Sequence, residues 1–87
     1  MDDIRDLLLK VLRKIDPTLL EDSLEIKFIQ SFKDRYDVFG QFRNQKGLYE
    51  FAVSFDRKGN IKRDHVNMIS PNKIRDELEK RIYDKGD

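Results

Sequence analysis

Tyr49-Glu50-Phe51-Ala52-Val53-Ser54-Phe55 decides the fold. Large apolar residues stand at alternate positions, with smaller or polar ones between them. This is the pattern of a strand with one buried face. Asn44-Gln45-Lys46-Gly47 precedes the stretch and Asp56-Arg57-Lys58-Gly59-Asn60 follows it. Both read as tight turns, each offering a glycine for positive φ.

The same alternation continues outward. Tyr36, Val38 and Phe42 alternate with Asp37, Gln41 and Arg43, and before them Leu24, Ile26, Phe28 and Phe32 alternate with Glu25, Lys27 and Ser31. A fourth, less regular strand runs from Ile61 to Met68. Short turns make sequential antiparallel hairpins the expected pairing. Placing every large apolar residue on one face sets the register. Phe32 then faces Tyr36, Ile26 faces Phe42, Phe42 faces Tyr49 and Val38 faces Val53. Gly40 lies under Phe51, whose ring covers the bare backbone, and Glu25 faces Arg43 as a cross-strand ion pair. In the last hairpin, pairing Asp56 with Asn60 turns Ile61, Arg63 and His65 inward, whereas Val66 and Met68 demand the opposite parity. A bulge near residues 63 to 65 reconciles them and leaves the face of His65 open.

Helical spacing flanks the sheet. Ile4, Leu7, Leu8, Val11, Leu12 and Ile15 form one apolar stripe. Asp2 or Asp3 suits the cap, Arg13 and Lys14 suit the last turn, and Pro17 ends the helix. Ser70-Pro71 predicts a second helix start, with Ile74, Leu78 and Ile82 on one face. The expected class is α+β, in two layers: an N-terminal helix, a four-stranded antiparallel meander in order 1-2-3-4, and a C-terminal helix. Residues 1–87 are expected to form one domain.

Charge narrows the function classes. Lys and Arg number 18 against 17 Asp and Glu, a balance that disfavours a strongly electrostatic nucleic-acid or membrane binder. Residues 24–67 hold nine Lys/Arg and six Asp/Glu, so the sheet leans mildly basic. The chain has no cysteine, which excludes disulfides and thiolate metal sites. With the acidic start Met1-Asp2-Asp3, this points to a cytoplasmic setting. The longest apolar run is Leu7-Leu8-Leu9, so no membrane span is expected.

Nothing in the sequence requires catalysis, a cofactor or a metal. His65 is the only histidine, which excludes catalytic triads and multi-histidine metal sites. Gly40, Gly47, Gly59 and Gly86 are isolated and form no phosphate loop. One feature remains. The expected register aligns Ile29, Phe39 and Ala52 on the face away from the main apolar set, with Leu48 beside Arg43 extending the row. Lys27, Gln41 and Glu50 border it on one side; Ser31, Asp37 and Ser54 border it on the other. Either a terminal helix or a partner covers such a row.

The leading expectation is a non-catalytic interaction module using the outer sheet face or an edge strand. Its partner would be another protein or a second copy, contacted by Ile29, Phe39, Ala52, Leu48 and Arg43. The alternative is RNA or single-stranded nucleic-acid binding through Lys27, Phe39, Arg43, Lys46, Lys62 and Arg63, combining basic charge with a stacking ring. An enzyme ranks third. The element order resembles that of double-stranded-RNA-binding domains, and Tyr36, Phe51-Ala52-Val53, Gly59 and Ser70 loosely follow their spacing. Pro71-Asn72-Lys73-Ile74-Arg75 stands where that family opens its last helix with Lys-Lys-x-Ala-Lys, and the fourth strand is additional. The likeness is one of topology and assigns no family.

Overall fold

The computed structural model describes residues 2–71. Helix α1 (Asp2–Ile15) is followed by β1 (Leu20–Ser31), β2 (Arg35–Arg43), β3 (Gly47–Asp56) and β4 (Ile61–Pro71). The strands form one antiparallel sheet in the order β1-β2-β3-β4. The expected second helix lies outside the described residues. Ser70 and Pro71 belong to β4, where Pro71 pairs with Gly47 and is not the first residue of a helix.

The helix stripe meets the sheet where the sequence puts it. Leu8, Val11 and Leu12 are fully buried; Leu9, just off the stripe, is nearly so, and Leu7 and Ile15 are half-buried against the core. The last helical bond runs from the Asp16 N–H to the Leu12 carbonyl at 2.7 Å. Pro17 cannot continue the ladder, and Asp16 Oδ1 instead accepts from the Thr18 N–H at 2.9 Å and Thr18 Oγ1 at 2.6 Å. From the sheet, Val38, Phe42, Phe51, Val53 and Phe55 complete the core with Leu19 and Leu24. Phe42 stacks on Tyr49 at 5.5 Å and leans on Phe51 at 6.0 Å. Burying each of these rings stabilises the fold by about 2 kcal/mol.

The β2–β3 register is the expected one: Phe42 opposes Tyr49, Gly40 opposes Phe51 and Val38 opposes Val53. The β1–β2 register is not. A bulge lies between Ile26 and Phe28, so Ile26 opposes Gly40, Phe28 opposes Phe39, Ile29 opposes Val38 and Ser31 opposes Tyr36. One extra residue, Lys27, reverses the parity of everything after it. Ile26 and Ile29 therefore share the helix side, and Phe28 is turned away from it. The expected Ile26–Phe42 and Phe32–Tyr36 pairs do not form. Phe32 leaves the ladder, donates its N–H to the Arg35 carbonyl at 2.8 Å, and carries the Arg35 guanidinium 4.1 Å above its ring. Glu25 opposes Gln41, and its carboxylate lies 3.9 Å from Lys27 in place of the expected Arg43 partner.

In the last hairpin one bulge falls at Lys62, slightly before the expected position, and a second register shift falls at Ile69, between the Leu48–Ser70 and Tyr49–Met68 pairs. Phe55 opposes Ile61, then Ser54 opposes Arg63, Ala52 opposes His65 and Phe51 opposes Val66. Val66 thus packs on the core, while Arg63 and His65 take the opposite face. Gly59 adopts the expected positive φ of 91°, which the turn requires. Gly47 does not. Its requirement is close approach, since a β-carbon there would collide with the Ser70 carbonyl and lie 2.8 Å from Pro71 Cα.

Candidate functional site: the outer face of the sheet

Strand alternation leaves one sheet face without a helix among the described residues. Across its middle run Phe28, Phe39, Ala52 and His65, one from each strand and each directly opposite the next. Phe28 is 57% exposed and Phe39 41% exposed, although aromatic residues of this size normally bury most of their surface. Ala52 and His65 are exposed as well.

Polar rows flank the apolar one. On one side stand Gln30, Asp37, Ser54 and Arg63; on the other, Glu25, Gln41, Glu50 and Asn67. Asp37 Oδ1 accepts from Ser54 Oγ at 2.7 Å and from Arg35 Nε at 3.3 Å. Glu50 Oε1 accepts from Asn67 Nδ2 at 3.5 Å. Arg43 and Leu48 are opposite each other at one end, with Arg35 opposite Asp56 at the other. A shallow depression opens beside Phe39, lined by Phe28, Ala52, Ser54, Asp37 and Arg63. Its floor is small because Ala52 and Ser54 are small. The face is therefore raised at Phe28 and Phe39 on β1 and β2 and low at Ala52 and Ser54 on β3, with Arg63 and His65 of β4 beyond.

Phe39, Ala52, Leu48 and Arg43 all belong to this face, as the sequence leads one to expect. Ile29 does not: it lies on the helix side opposite Val38, and Phe28 takes the place expected for it. Alternation alone counts Phe28 as a core residue, and only the extra residue at Lys27 reverses it. The signal that bears on this is Gly40, which removes the side chain that would hold β1 away from the sheet. The basic residues of the nucleic-acid reading are dispersed. Arg43 and Lys46 lie at one end of the sheet; Lys62 and Arg63 lie toward the other, and Lys27 sits on the β1 bulge beside Glu25. Lys62 and Arg63 share a small depression with Arg35, Asp37 and Ser54, and Lys27, Arg43 and Lys46 are not among its lining residues.

The remaining polar clusters are explained by the fold. Arg57 donates to the Lys33 carbonyl at 2.9 Å, the Phe32 carbonyl at 2.6 Å and Tyr36 Oη at 2.6 Å, which ties the β1–β2 turn to the β3–β4 turn. Asn44 is buried; its Oδ1 accepts from the Lys46 and Gly47 N–H groups, and its Nδ2 donates to Asp16 Oδ2 at 2.6 Å. Partial burial pushes the Asp16 carboxyl up. Hydrogen bonds from Thr18 and Asn44, with the charge of Lys46, outweigh that and hold it below its ordinary value. Asp56 is likewise held low, chiefly by the Asn60 N–H and side chain. Among the described residues no group of three or more His, Asp or Glu side chains is placed to hold a metal ion, and no helix is long and apolar enough to cross a membrane. No protein-family model matches the chain, and neither does any curated protein or solved structure.

Proposed function

We propose that this chain is a non-catalytic interaction module whose contact surface is the outer face of the sheet. The observation that carries the reading is the exposed Phe28–Phe39 pair, set in an apolar row between two polar rows. An apolar centre with a polar rim is the anatomy of a protein contact surface. Charge supports a protein over a nucleic acid. Arg35, Arg43, Lys62 and Arg63 on this face are balanced by Glu25, Asp37, Glu50 and Asp56, so phosphate would meet carboxylates as often as cationic groups. The engaged carboxylates point away from catalysis: Asp16, Asp37 and Asp56 are each occupied in a cap, a cross-strand bond or a turn.

Phe39→Lys tests the reading. If the ring contacts a partner and not the chain's own core, the substitution should change monomer stability by less than about 1 kcal/mol, the usual range for an exposed site. Thermal and urea unfolding at low concentration measure this. A loss of about 3 kcal/mol or more would show that the ring is buried within the folded chain, and the reading would fall. Titration with labelled single-stranded and double-stranded RNA supplies the second arm. Submicromolar binding that weakens steeply with salt would replace a protein partner by a nucleic acid.

A further inference from the structure

We infer that the partner of this face is a second copy of the chain, related by a two-fold axis that runs parallel to the strands between β2 and β3. The inference rests on the reading of the outer face as a contact surface and adds the identity and geometry of what covers it. Such an axis lays β1 over the second copy's β4, and β2 over its β3. The raised Phe39 of each face then meets the low stretch at Ala52 and Ser54 of the other. Phe39 falls over Ala52, in the depression that Ala52 and Ser54 leave open, and Phe28 falls over His65.

Charge is compatible with the same axis. At one end of the sheet, Arg35 of each copy faces Asp56 of the other; Arg63 faces Gln30, and Arg43 lays its stem over Leu48. No like charges are superposed. The other in-plane axis, perpendicular to the strands, fails on both counts. It sets Phe39 on Phe39, leaves Ala52 opposite Ala52 with a gap between, and brings Arg35 over Arg43. Two sheets stacked through these faces would lie about 10 Å apart with nearly aligned strands, and each α1 would be on the outside.

The footprint sets the strength. Four strands about 4.8 Å apart, with same-face residues repeating about every 6.8 Å, give a projected area of about 500 Å² per copy. That is below the roughly 800 Å² per partner of a standard specific interface. The dimer should therefore be reversible, with Kd in about the micromolar range.

A compensating swap tests both the dimer and its axis. Sedimentation velocity over about 1 to 500 µM compares wild type with Phe39→Ala, Ala52→Phe and the double variant. Wild type should pass from monomer to dimer across the series. Each single change acts twice in a symmetric dimer, one leaving a void and the other a clash, and should raise Kd by about 100-fold. The double variant sets phenylalanine against alanine again with the roles exchanged. It should recover Kd to within about tenfold of wild type. A double variant as impaired as the singles would refute this axis. A wild-type chain that stays monomeric at the highest concentration would refute the dimer. In that case Phe39→Lys separates the two readings. An unchanged melting temperature keeps the contact surface and assigns it to another protein, whereas a large drop removes both.

Discussion

Gly40→Ala probes the feature on which the outer face depends, the bulged pairing of β1 with β2. Adding a methyl group to a glycine in a strand ordinarily helps by about 0.5–1 kcal/mol, because the unfolded chain loses freedom. Here it should do the opposite. A β-carbon at residue 40 would collide with the Glu25 carbonyl and sit 2.9 and 3.1 Å from two ring carbons of Phe51. Neither neighbour can yield easily. The carbonyl belongs to the β1 backbone, and the Phe51 ring is fully buried and leans on Phe42. Overpacking of this kind costs about 1–3 kcal/mol, and pushing β1 outward sacrifices a ladder hydrogen bond worth about 1 kcal/mol. Subtracting the entropic gain leaves a net loss of about 1–3.5 kcal/mol. In a domain of this size that lowers the melting temperature by about 5–25 °C. Urea unfolding followed by circular dichroism measures the loss directly. Combining Gly40→Ala with Phe51→Leu should cost less than the sum of the two changes, because part of the clash is gone. Equal or higher stability for Gly40→Ala would mean that β1 does not approach β2 in this register. Phe28 would then not stand beside Phe39.

Phe51→Ala should destabilise by about 3–5 kcal/mol and shift the urea midpoint accordingly, because the ring is fully buried against the helix side of the sheet. Asn44→Ala should cost about 1–3 kcal/mol in the same assay, since the Gly47 and Lys46 N–H groups and Asp16 Oδ2 each lose a partner. The same contact governs a pH dependence. The Asp16 carboxyl is held below its unfolded value of about 3.9, so its contribution is complete above that value and is lost as pH falls through the lower folded value. Asn44→Ala should therefore flatten the stability profile below about pH 4, and an unchanged slope there would place the acid sensitivity elsewhere.

What was legible in the sequence, and what was not, divides along a physical line. Helix α1 and the β2–β3 hairpin could be read because burial repeats there without interruption. The stripe from Leu8 to Leu12 and the alternation from Tyr49 to Phe55 each admit one orientation against a core. Chain segments with irregular pairing could not be read the same way. At β1, strict alternation assigns Phe28 to the core and Ile29 to the outside, and the bulge at Lys27 exchanges them. At β4, the conflict between Ile61 and Val66 announces a bulge, but turn chemistry alone does not place it at Lys62. Hydrophobic pattern records which residues a regular strand would bury; a bulge is decided by backbone clearance, and the pertinent residue is on the neighbouring strand. Gly40 is that residue for β1.

Of the four register shifts in the sheet, those at Lys27 and Lys62 together determine what the outer face offers. Without the one at Lys27, the face would carry Ile29 in place of Phe28, and the aromatic pair would not exist. Without the one at Lys62, Arg63 and His65 would be carried to the helix side, where a guanidinium against Val53 and Phe51 would lose hydration with no carboxylate to repay it. All four interruptions fall on the edge strands, where the ladder has neighbours on one side only and an extra residue disturbs the fewest bonds. The central strands keep regular pairing and hold the core, with Phe42, Phe51 and Phe55 fully buried. The edge strands break it and thereby present Phe28 at one margin of the row and His65 at the other. Under the two-fold arrangement these margins meet each other, Phe28 over His65, while the fit of Phe39 over Ala52 rests on the regular pairing of β2 with β3.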